Sequence, residues 1–234
     1  MVIDYHKCLG CRRCIPYCPV GAISMQGKKA YIDMDKCVEC GNCRFNGCLN
    51  GAIVQQTMIM PRAMRGVFSN VREISPNTGV PGRGTEEMKT NDVTNRFPKG
   101  KVGLACEMGR PATGTSFLDV EKIAQVVVSH GGTLETANPT AIIFEEDKPG
   151  IVRQEFRNER ALSVIIEALL DPKDLPGMLL ALKEAQKEID TVFSVDVITR
   201  VDDDGTIPVD QYLKEAGIER RPNGKTCIGI GHVS

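Results

Sequence analysis

The 234-residue sequence lacks several features that would place it in a common class of protein. It contains no apolar run near the roughly 20 residues that a membrane-spanning helix needs. Its 29 basic and 30 acidic side chains balance, whereas nucleic-acid-binding domains usually carry a clear basic excess. Three histidines offer little material for general acid–base catalysis. We therefore expect neither a membrane span nor a nucleic-acid interface.

Motifs for nucleotide cofactors and for secretion are also missing. The sequence contains neither G-x-x-x-x-G-K-[ST] nor G-x-G-x-x-G, so it predicts no phosphate loop and no dinucleotide-binding turn. Its first residues, MVIDYHKC, lack the apolar core and the cleavage site of a signal peptide. We expect a cytoplasmic protein that is a carrier or a subunit, and not a complete nicotinamide- or flavin-dependent enzyme.

Cysteine, by contrast, is abundant, with ten residues in the chain and eight of them in the first 48. Cytosolic thiols are kept reduced, so such a cluster indicates metal binding or catalysis and not disulfides. The eight form two runs, Cys8-x2-Cys11-x2-Cys14-x3-Cys18-Pro19 and Cys37-x2-Cys40-x2-Cys43-x4-Cys48. Paired Cys-x2-Cys units also build zinc sites, which leaves zinc as the alternative to iron–sulfur chemistry.

The two runs belong to an internal repeat. Residues 4–8 match residues 33–37 at an offset of 29, and residues 21–23 match residues 51–53 at an offset of 30, so one residue is inserted between Cys43 and Cys48. A glycine-containing turn between the repeats predicts a β-hairpin of residues 22–25 and 30–33. By the same reasoning residues 1–3 and 52–55 form a second ribbon.

The first run is the ligand pattern of bacterial ferredoxins, and residues 1–56 resemble a bacterial 2×4Fe-4S ferredoxin domain. Two residues between cysteines make a tight loop that turns three thiolates toward one cluster. The resemblance implies two 4Fe-4S clusters, with the fourth cysteine of each run serving the other cluster. One cluster is then held by Cys8, Cys11, Cys14 and Cys48, and the other by Cys37, Cys40, Cys43 and Cys18.

The second run departs from the family pattern at its end. Four residues separate Cys43 from Cys48, and Leu49 stands where proline usually follows. With crossed ligation the extra residue lies between ligands of different clusters, so it lengthens only the connecting turn. Gly47 suits a bulge there, because glycine accepts φ > 0 without steric cost. We expect Cys48 to remain a ligand.

Charge is distributed unevenly along the chain. Residues 1–56 carry seven basic and four acidic side chains, whereas residues 101–234 carry 15 basic and 22 acidic ones. Arg12, Arg13 and Arg44 lie inside the ligand runs. They are either solvated surface residues or part of a surface that docks an acidic partner.

The rest of the chain predicts three further regions. Residues 57–100 form a long connecting segment that contains glycine, proline and arginine and shows no clear period. Residues 101–201 predict two successive β-α-β units, with strands at 101–106, 140–144, 161–170 and 191–201 and helices at 117–129 and 174–189. This order indicates an α+β fold, a four-stranded antiparallel sheet with two helices in the ferredoxin-like βαββαβ arrangement. Residues 202–234 are a C-terminal extension with a short helix at 209–216.

Four further positions are candidates for binding or reactivity. Arg83, flanked by glycines, and Arg110, before the first predicted helix, are candidate anion contacts. Cys106 ends an apolar strand and is interpreted as a buried structural thiol. Residues 174–179, DLPGML, resemble the loop of ACT-type regulatory domains, which implies a small-molecule ligand in the C-terminal domain and a homodimer.

Electron transfer is the leading functional hypothesis. The chain would pass single electrons through the two clusters to or from a partner oxidoreductase, in anaerobic metabolism, with the C-terminal domain determining the partner. One alternative is an enzyme whose small-molecule site is formed by residues 57–110 and the C-terminal domain, with the clusters as a relay. The other is a regulatory iron–sulfur protein that responds to a ligand of the ACT-like domain. No residue is assigned a catalytic role.

Overall fold

A computed structural model describes residues 1–79, 81, 95–110 and 113–220. Two separate apolar cores are present in these ranges, one built from residues 1–53 and a larger one from residues 64–216. No helix in the described ranges is both long enough and apolar enough to cross a membrane.

Two antiparallel ribbons frame the N-terminal core. Strand β1 (Val2–Ile3) pairs with β4 (Ile53–Val54), and strand β2 (Ile23–Gln26) pairs with β3 (Lys29–Ile32). Both ribbons predicted from the repeat are therefore confirmed. Alternate strand residues point inward and pack with four buried cysteines, so the cysteine loops lie against the same core.

The inserted residue is absorbed by one π-helical turn (Cys43–Gly47). The N–H of Cys48 donates to the carbonyl of Cys43 at 2.9 Å, which closes an i→i+5 turn with one more residue than an α-helical turn. Gly47 does not adopt φ > 0, so the expected glycine bulge is wrong. Glycine is needed there for space, because a Cβ would lie 3.0 Å from Cα of Cys14 and 3.2 Å from the ring of Tyr17.

The larger core is centred on a four-stranded sheet. Its strands are β5 (Val102–Met108), β7 (Thr133–Leu134), β9 (Val164–Leu170) and β10 (Phe193–Ile198). They lie in the order β10-β5-β9-β7, and every neighbouring pair is antiparallel. A short ladder of β6 (Thr115–Ser116) and β8 (Arg160–Ala161) lies beside it. The predicted strands at 101–106, 161–170 and 191–201 thus correspond to β5, β9 and β10.

Helices α2 (Phe117–Ser129) and α3 (Leu175–Ala185) pack against each other and contribute buried apolar residues to this core. The first matches its predicted bounds. The second is shorter than predicted, because a 3-10 turn (Gln186–Glu188) follows it. Helix α4 (Asp210–Glu215) lies within the predicted range of 209–216. The described residues therefore form both helices and sheets, which agrees with the mixed helix and strand content of the α+β prediction.

The strand predicted at 140–144 is wrong, since a 3-10 helix (Pro139–Ile143) occupies this position. The side chain of Asn138 accepts a hydrogen bond from the N–H of Thr140 at 2.7 Å, and the proline fixes the first helical φ. These two contacts start a helix despite the β-branched residues that follow. The edge of the sheet is formed instead by β7.

The segment after residue 56 contains helix α1 (Ala63–Ser69), which has no counterpart among the predicted elements. Met64 and Phe68 of α1 are fully buried in the larger core, and the Phe68 ring packs edge-to-face on Phe117 at 5.6 Å. This part of the predicted connecting segment is therefore an integral element of the larger core.

Candidate iron–sulfur centre

The fourth cysteine of the second run lies among the cysteines of the first run. Burial raises the pKa of the Cys14 thiol, and negative charge on Cys48, Cys11 and Cys8 raises it further, against the effect of a backbone hydrogen bond. The packing agrees, since a Cβ at Gly47, the residue before Cys48, would lie 3.0 Å from Cα of Cys14. The end of the second run therefore lies beside the first run, as the resemblance implies.

The second group of thiols contains the fourth cysteine of the first run. A small, partly enclosed cavity of about 20 Å³ is lined by Cys18, Cys37, Cys40 and Cys43, with Met1 and Val38 among its apolar walls. Burial raises the pKa of Cys43 to about 12, and charge on Cys40, Cys37, Cys18 and Cys14 contributes in the same direction. Cys18 therefore lines the same cavity as the first three cysteines of the second run, as the resemblance implies.

Backbone N–H groups donate to the sulfur of each exchanged cysteine. The N–H of Ala22 lies 3.1 Å from Sγ of Cys18, and the N–H of Ala52 lies 3.2 Å from Sγ of Cys48. Donors of this kind stabilise charge on cluster thiolates and raise the reduction potential. In both contacts the donor lies four residues after the cysteine. The insertion before Cys48 therefore does not change the position of the Cys48 sulfur relative to the strand that follows.

The loops between the first and third cysteine of each run share a backbone conformation. Gly10 and Arg12 flank Cys11 with φ of 68° and 62°, and Glu39 and Gly41 flank the equivalent cysteine with φ of 57° and 74°. Alternation of right- and left-handed residues turns successive N–H groups into an anion-binding concavity, as at many iron–sulfur sites. At Gly10 a side chain is excluded as well, because a Cβ would lie 2.1 Å from the carbonyl oxygen of Lys28.

These features fit a 4Fe-4S cluster at each group of thiols. Each run offers four thiols, an N–H donor to the sulfur of its fourth cysteine and a concave loop of backbone amides. When bound, the clusters supply one-electron redox chemistry.

Buried charges hold the loop of the second run. Glu39 accepts hydrogen bonds from the amine of Met1 and from Arg62, the latter at 2.9 and 2.6 Å. Burial acts to raise the pKa of Glu39, but these hydrogen bonds and charges outweigh it, so the pKa is lowered. Arg62 also donates to the carbonyl of Met34 at 3.0 Å. The negative charge of Glu39 in this loop is therefore balanced by the amine of Met1 and the guanidinium of Arg62.

Arg65 of α1 connects this loop to the larger core. Its Nη1 donates to the carbonyls of Met34, Asp35 and Cys37 at 3.0, 3.1 and 2.8 Å, and its Nε pairs with the buried carboxylate of Glu159. The sequence indicates only that this segment is basic. No pattern in it marks Arg62 or Arg65 as partners of the cysteine loop, and the sequence-based reasoning missed both.

The other candidate residues come after the cysteine repeat in the sequence. Arg110 pairs with Glu107 at 3.0 Å, and the N-terminus of α2 is capped by Ser116, whose Oγ accepts from the N–H of Asp119 at 3.1 Å. Arg83 lies outside the described residues. Residues 174–179, which carry the ACT-like resemblance, form the start of α3.

Cys106 is fully buried in β5, and this burial raises its pKa to about 12.

Comparison with known proteins agrees with this centre. Residues 1–46 match the family of 4Fe-4S dicluster domains. A curated relative, the "Ferredoxin-like protein in vnf region" of Azotobacter chroococcum mcd 1, is 43% identical over 49 residues, which cover 21% of this chain and 75% of that protein. No solved structure gives a significant match. The chain therefore belongs, through its N-terminal residues, to the 4Fe-4S dicluster ferredoxins and carries two 4Fe-4S clusters.

Proposed function

We propose that this chain is an electron-transfer protein or subunit that passes single electrons through its two clusters to or from a partner oxidoreductase. The two runs of four cysteines within the first 48 residues carry the proposal, and six of these cysteines pack in or against the N-terminal core. Clusters held by four thiolates exchange single electrons at potentials set by nearby charge, hydrogen bonds and exposure. A cytoplasmic location and a place in anaerobic metabolism belong to the same proposal.

We infer that the ligands are crossed between the runs. One cluster is held by Cys8, Cys11, Cys14 and Cys48, and we call it the first cluster. The second cluster is held by Cys37, Cys40, Cys43 and Cys18. The cavity that Cys18 lines together with Cys37, Cys40 and Cys43 supports this division, as does the close packing of Gly47, the residue before Cys48, on Cys14.

We also propose that residues 101–201 form a ferredoxin-like βαββαβ domain that determines which partner is met. Across the sheet the strands lie in the order β10-β5-β9-β7. Numbered by their position in the chain, these are the fourth, first, third and second main strands of this region. All neighbours are antiparallel, and α2 and α3 follow the first and third of these strands. In this division, residues 1–56 are the dicluster domain, 57–100 connect, and 202–234 extend the C-terminus.

A cleft favours a second candidate, in which a small molecule binds to the C-terminal part. The cleft has a volume of about 650 Å³, within the range of ligand sites. Asn77 of the connecting segment lines it together with residues of the C-terminal part, including Phe144 and Arg153. The relay enzyme would use such a site. Residues 174–179, which carry the ACT-like resemblance of the ligand-responsive homodimer, do not line this cleft.

Anaerobic purification of the full chain from its native host tests the main proposal. We expect a stoichiometric redox protein to co-purify, and reduction and reoxidation of the clusters to be independent of small molecules. Recovery of the chain alone, with turnover of a small molecule that depends on reduced clusters, would refute the carrier function. A melting temperature raised by one metabolite would favour the regulator.

A further inference from the structure

The two halves of the repeat differ sharply in exposure. Leu9 follows the first cysteine of its run and is 74% exposed, whereas the equivalent Val38 is 2% exposed. Arg12 is exposed, and the equivalent Gly41 is buried. Cys11 is likewise exposed, whereas its counterpart in the second run is only partly so. The loop of the first run therefore reaches the surface, and the loop of the second run is covered.

The chain itself provides this cover. Met1 and Glu39 are buried over the second loop, and Arg62 and Arg65 join that loop to α1. A redox protein approaching the second cluster from this side would have to displace these buried charged contacts. Among the residues that the structure describes, no such layer lies over Leu9, so we infer that the first cluster is the more accessible of the two.

The exposed loop combines apolar and basic side chains. Leu49, which follows the fourth ligand of the first cluster, is 72% exposed. Arg12 and Arg13 are exposed, and in the described part of the chain neither has an acidic side chain within ion-pair distance. Lys28 is exposed on the turn that packs on Gly10. Leu9 therefore shares its loop with unpaired positive charge, and Leu49 adds an exposed apolar side chain next to Cys48.

We propose that this face, formed by Leu9, Cys11, Arg12, Arg13, Lys28 and Leu49, docks an acidic one-electron redox protein. The inference rests on the electron-transfer function proposed above and assigns the first cluster as the point of exchange. Protein interfaces commonly combine an apolar centre with a polar rim, and opposite charge accelerates and orients the encounter. One electron leaves the reduced member of the pair and enters the oxidised one; no bond forms or breaks.

Stopped-flow kinetics of the full chain with both clusters test the proposal. The dithionite-reduced protein is mixed anaerobically with oxidised flavodoxin, an acidic one-electron acceptor, at low and high salt. We expect R12E/R13E to slow flavodoxin reduction about tenfold at low salt, with the difference lost at high salt because ions screen the attraction. L9S/L49S should slow it at every salt concentration.

The control variant K148E/K173E makes the same change in charge at exposed lysines of the C-terminal part. We expect its rate to stay within about twofold of the wild-type rate. A second acceptor, the basic protein cytochrome c, should be reduced faster by R12E/R13E than by the wild type. If R12E/R13E loses iron, the same measurements are made with the single variant R13E.

Equal rates for R12E/R13E and K148E/K173E with flavodoxin would overturn the docking surface. Equal slowing with flavodoxin and cytochrome c would overturn it too, because charge complementarity predicts opposite signs. Failure of the electron-transfer function itself would look different. In that case the wild-type protein would show reduced clusters by EPR and yet pass electrons to neither acceptor.

Discussion

The N–H of Ala52 donates to Sγ of Cys48 at 3.2 Å, the same contact that Ala22 makes with Cys18 in the first half of the repeat. The position of each exchanged sulfur is therefore tied to the strand that follows it. The extra residue is accommodated before Cys48, in the π-helical turn, and does not displace the ligand. An irregular spacing in a ligand run is thus compatible with an unchanged site when the irregularity precedes the anchored ligand.

Pairs of cysteine variants distinguish crossed from uncrossed ligation. With crossed ligation, C8S/C48S removes two ligands of one cluster, so we expect about half of the iron to remain after anaerobic reconstitution. C43S/C48S removes one ligand from each cluster and should lose substantially more iron. Iron and sulfide content per chain, together with EPR of the reduced protein, provide the measurement.

C18S/C37S is the matching control for the other cluster and should behave like C8S/C48S. If C43S/C48S keeps half of the iron while C8S/C48S loses nearly all of it, each run serves its own cluster and the crossed assignment is wrong.

Gly47→Ala should destabilise the first cluster. The added Cβ would lie 3.0 Å from Cα of Cys14, a backbone atom that cannot rotate away, and overpacking of this kind typically costs about 1–3 kcal/mol. We expect a lower anaerobic melting temperature and faster loss of visible absorbance.

Gly177→Ala is a control for which we expect a gain in stability instead of a loss. Gly177 lies in α3 with nothing within 4 Å of a built Cβ, so alanine should stabilise the helix by about 0.5–1 kcal/mol. A Gly47→Ala variant as stable as the wild type would show that the turn can shift and that close packing does not require glycine.

Arg65→Met should be strongly destabilising. The change leaves the buried carboxylate of Glu159 and three loop carbonyls without their donor, and breaking a buried pair typically costs about 3–5 kcal/mol. Anaerobic urea unfolding measures the loss. Lys187→Met, which removes an exposed ion pair with Glu184, should leave the unfolding midpoint nearly unchanged.

The double variant R65M/E159M separates charge from packing. Since it removes both charges, it should recover a large part of the lost stability. If R65M and R65M/E159M are equally unstable, the contacts to the loop carbonyls dominate and the pair with Glu159 contributes little.

Cys106 should not react with thiol reagents in the folded protein. Its thiol is fully buried and has a pKa raised to about 12 by burial, so at pH 8 only about one thiol in ten thousand is ionised. Iodoacetamide labelling followed by peptide mass spectrometry should find Cys106 unmodified until urea is added. Labelling of the native protein as fast as in urea would contradict its burial.

The sequence predicted those parts of the fold that have strong local signals. The β2–β3 hairpin, α2 and the strands β5, β9 and β10 follow from turn residues and from apolar periods of 2.0 or 3.6. The cysteine spacing predicted the two 4Fe-4S clusters for a similar reason, since the spacing is imposed by the geometry of the cluster.

Other features depend on contacts between distant residues. Asn138 and Pro139 start a 3-10 helix where the β-branched residues after them favoured a strand. Helix α1 is only seven residues long, too short to show an amphipathic period, and it is held in place by tertiary packing. The contacts of Arg65 join residues up to 94 positions apart, so no local pattern could reveal them.

The contacts of α1 also determine where the chain can be truncated without loss of stability. A chain truncated after residue 56 would expose the apolar wall of its second cysteine loop and leave Glu39 without Arg62. Such a fragment should precipitate or be digested by proteases more readily than the intact chain. The shortest fragment that keeps the contacts of Arg62 and Arg65 with the second cysteine loop must extend through Ser69, beyond the end of the cysteine repeat. We therefore expect that the dicluster part does not fold stably when it is separated from α1.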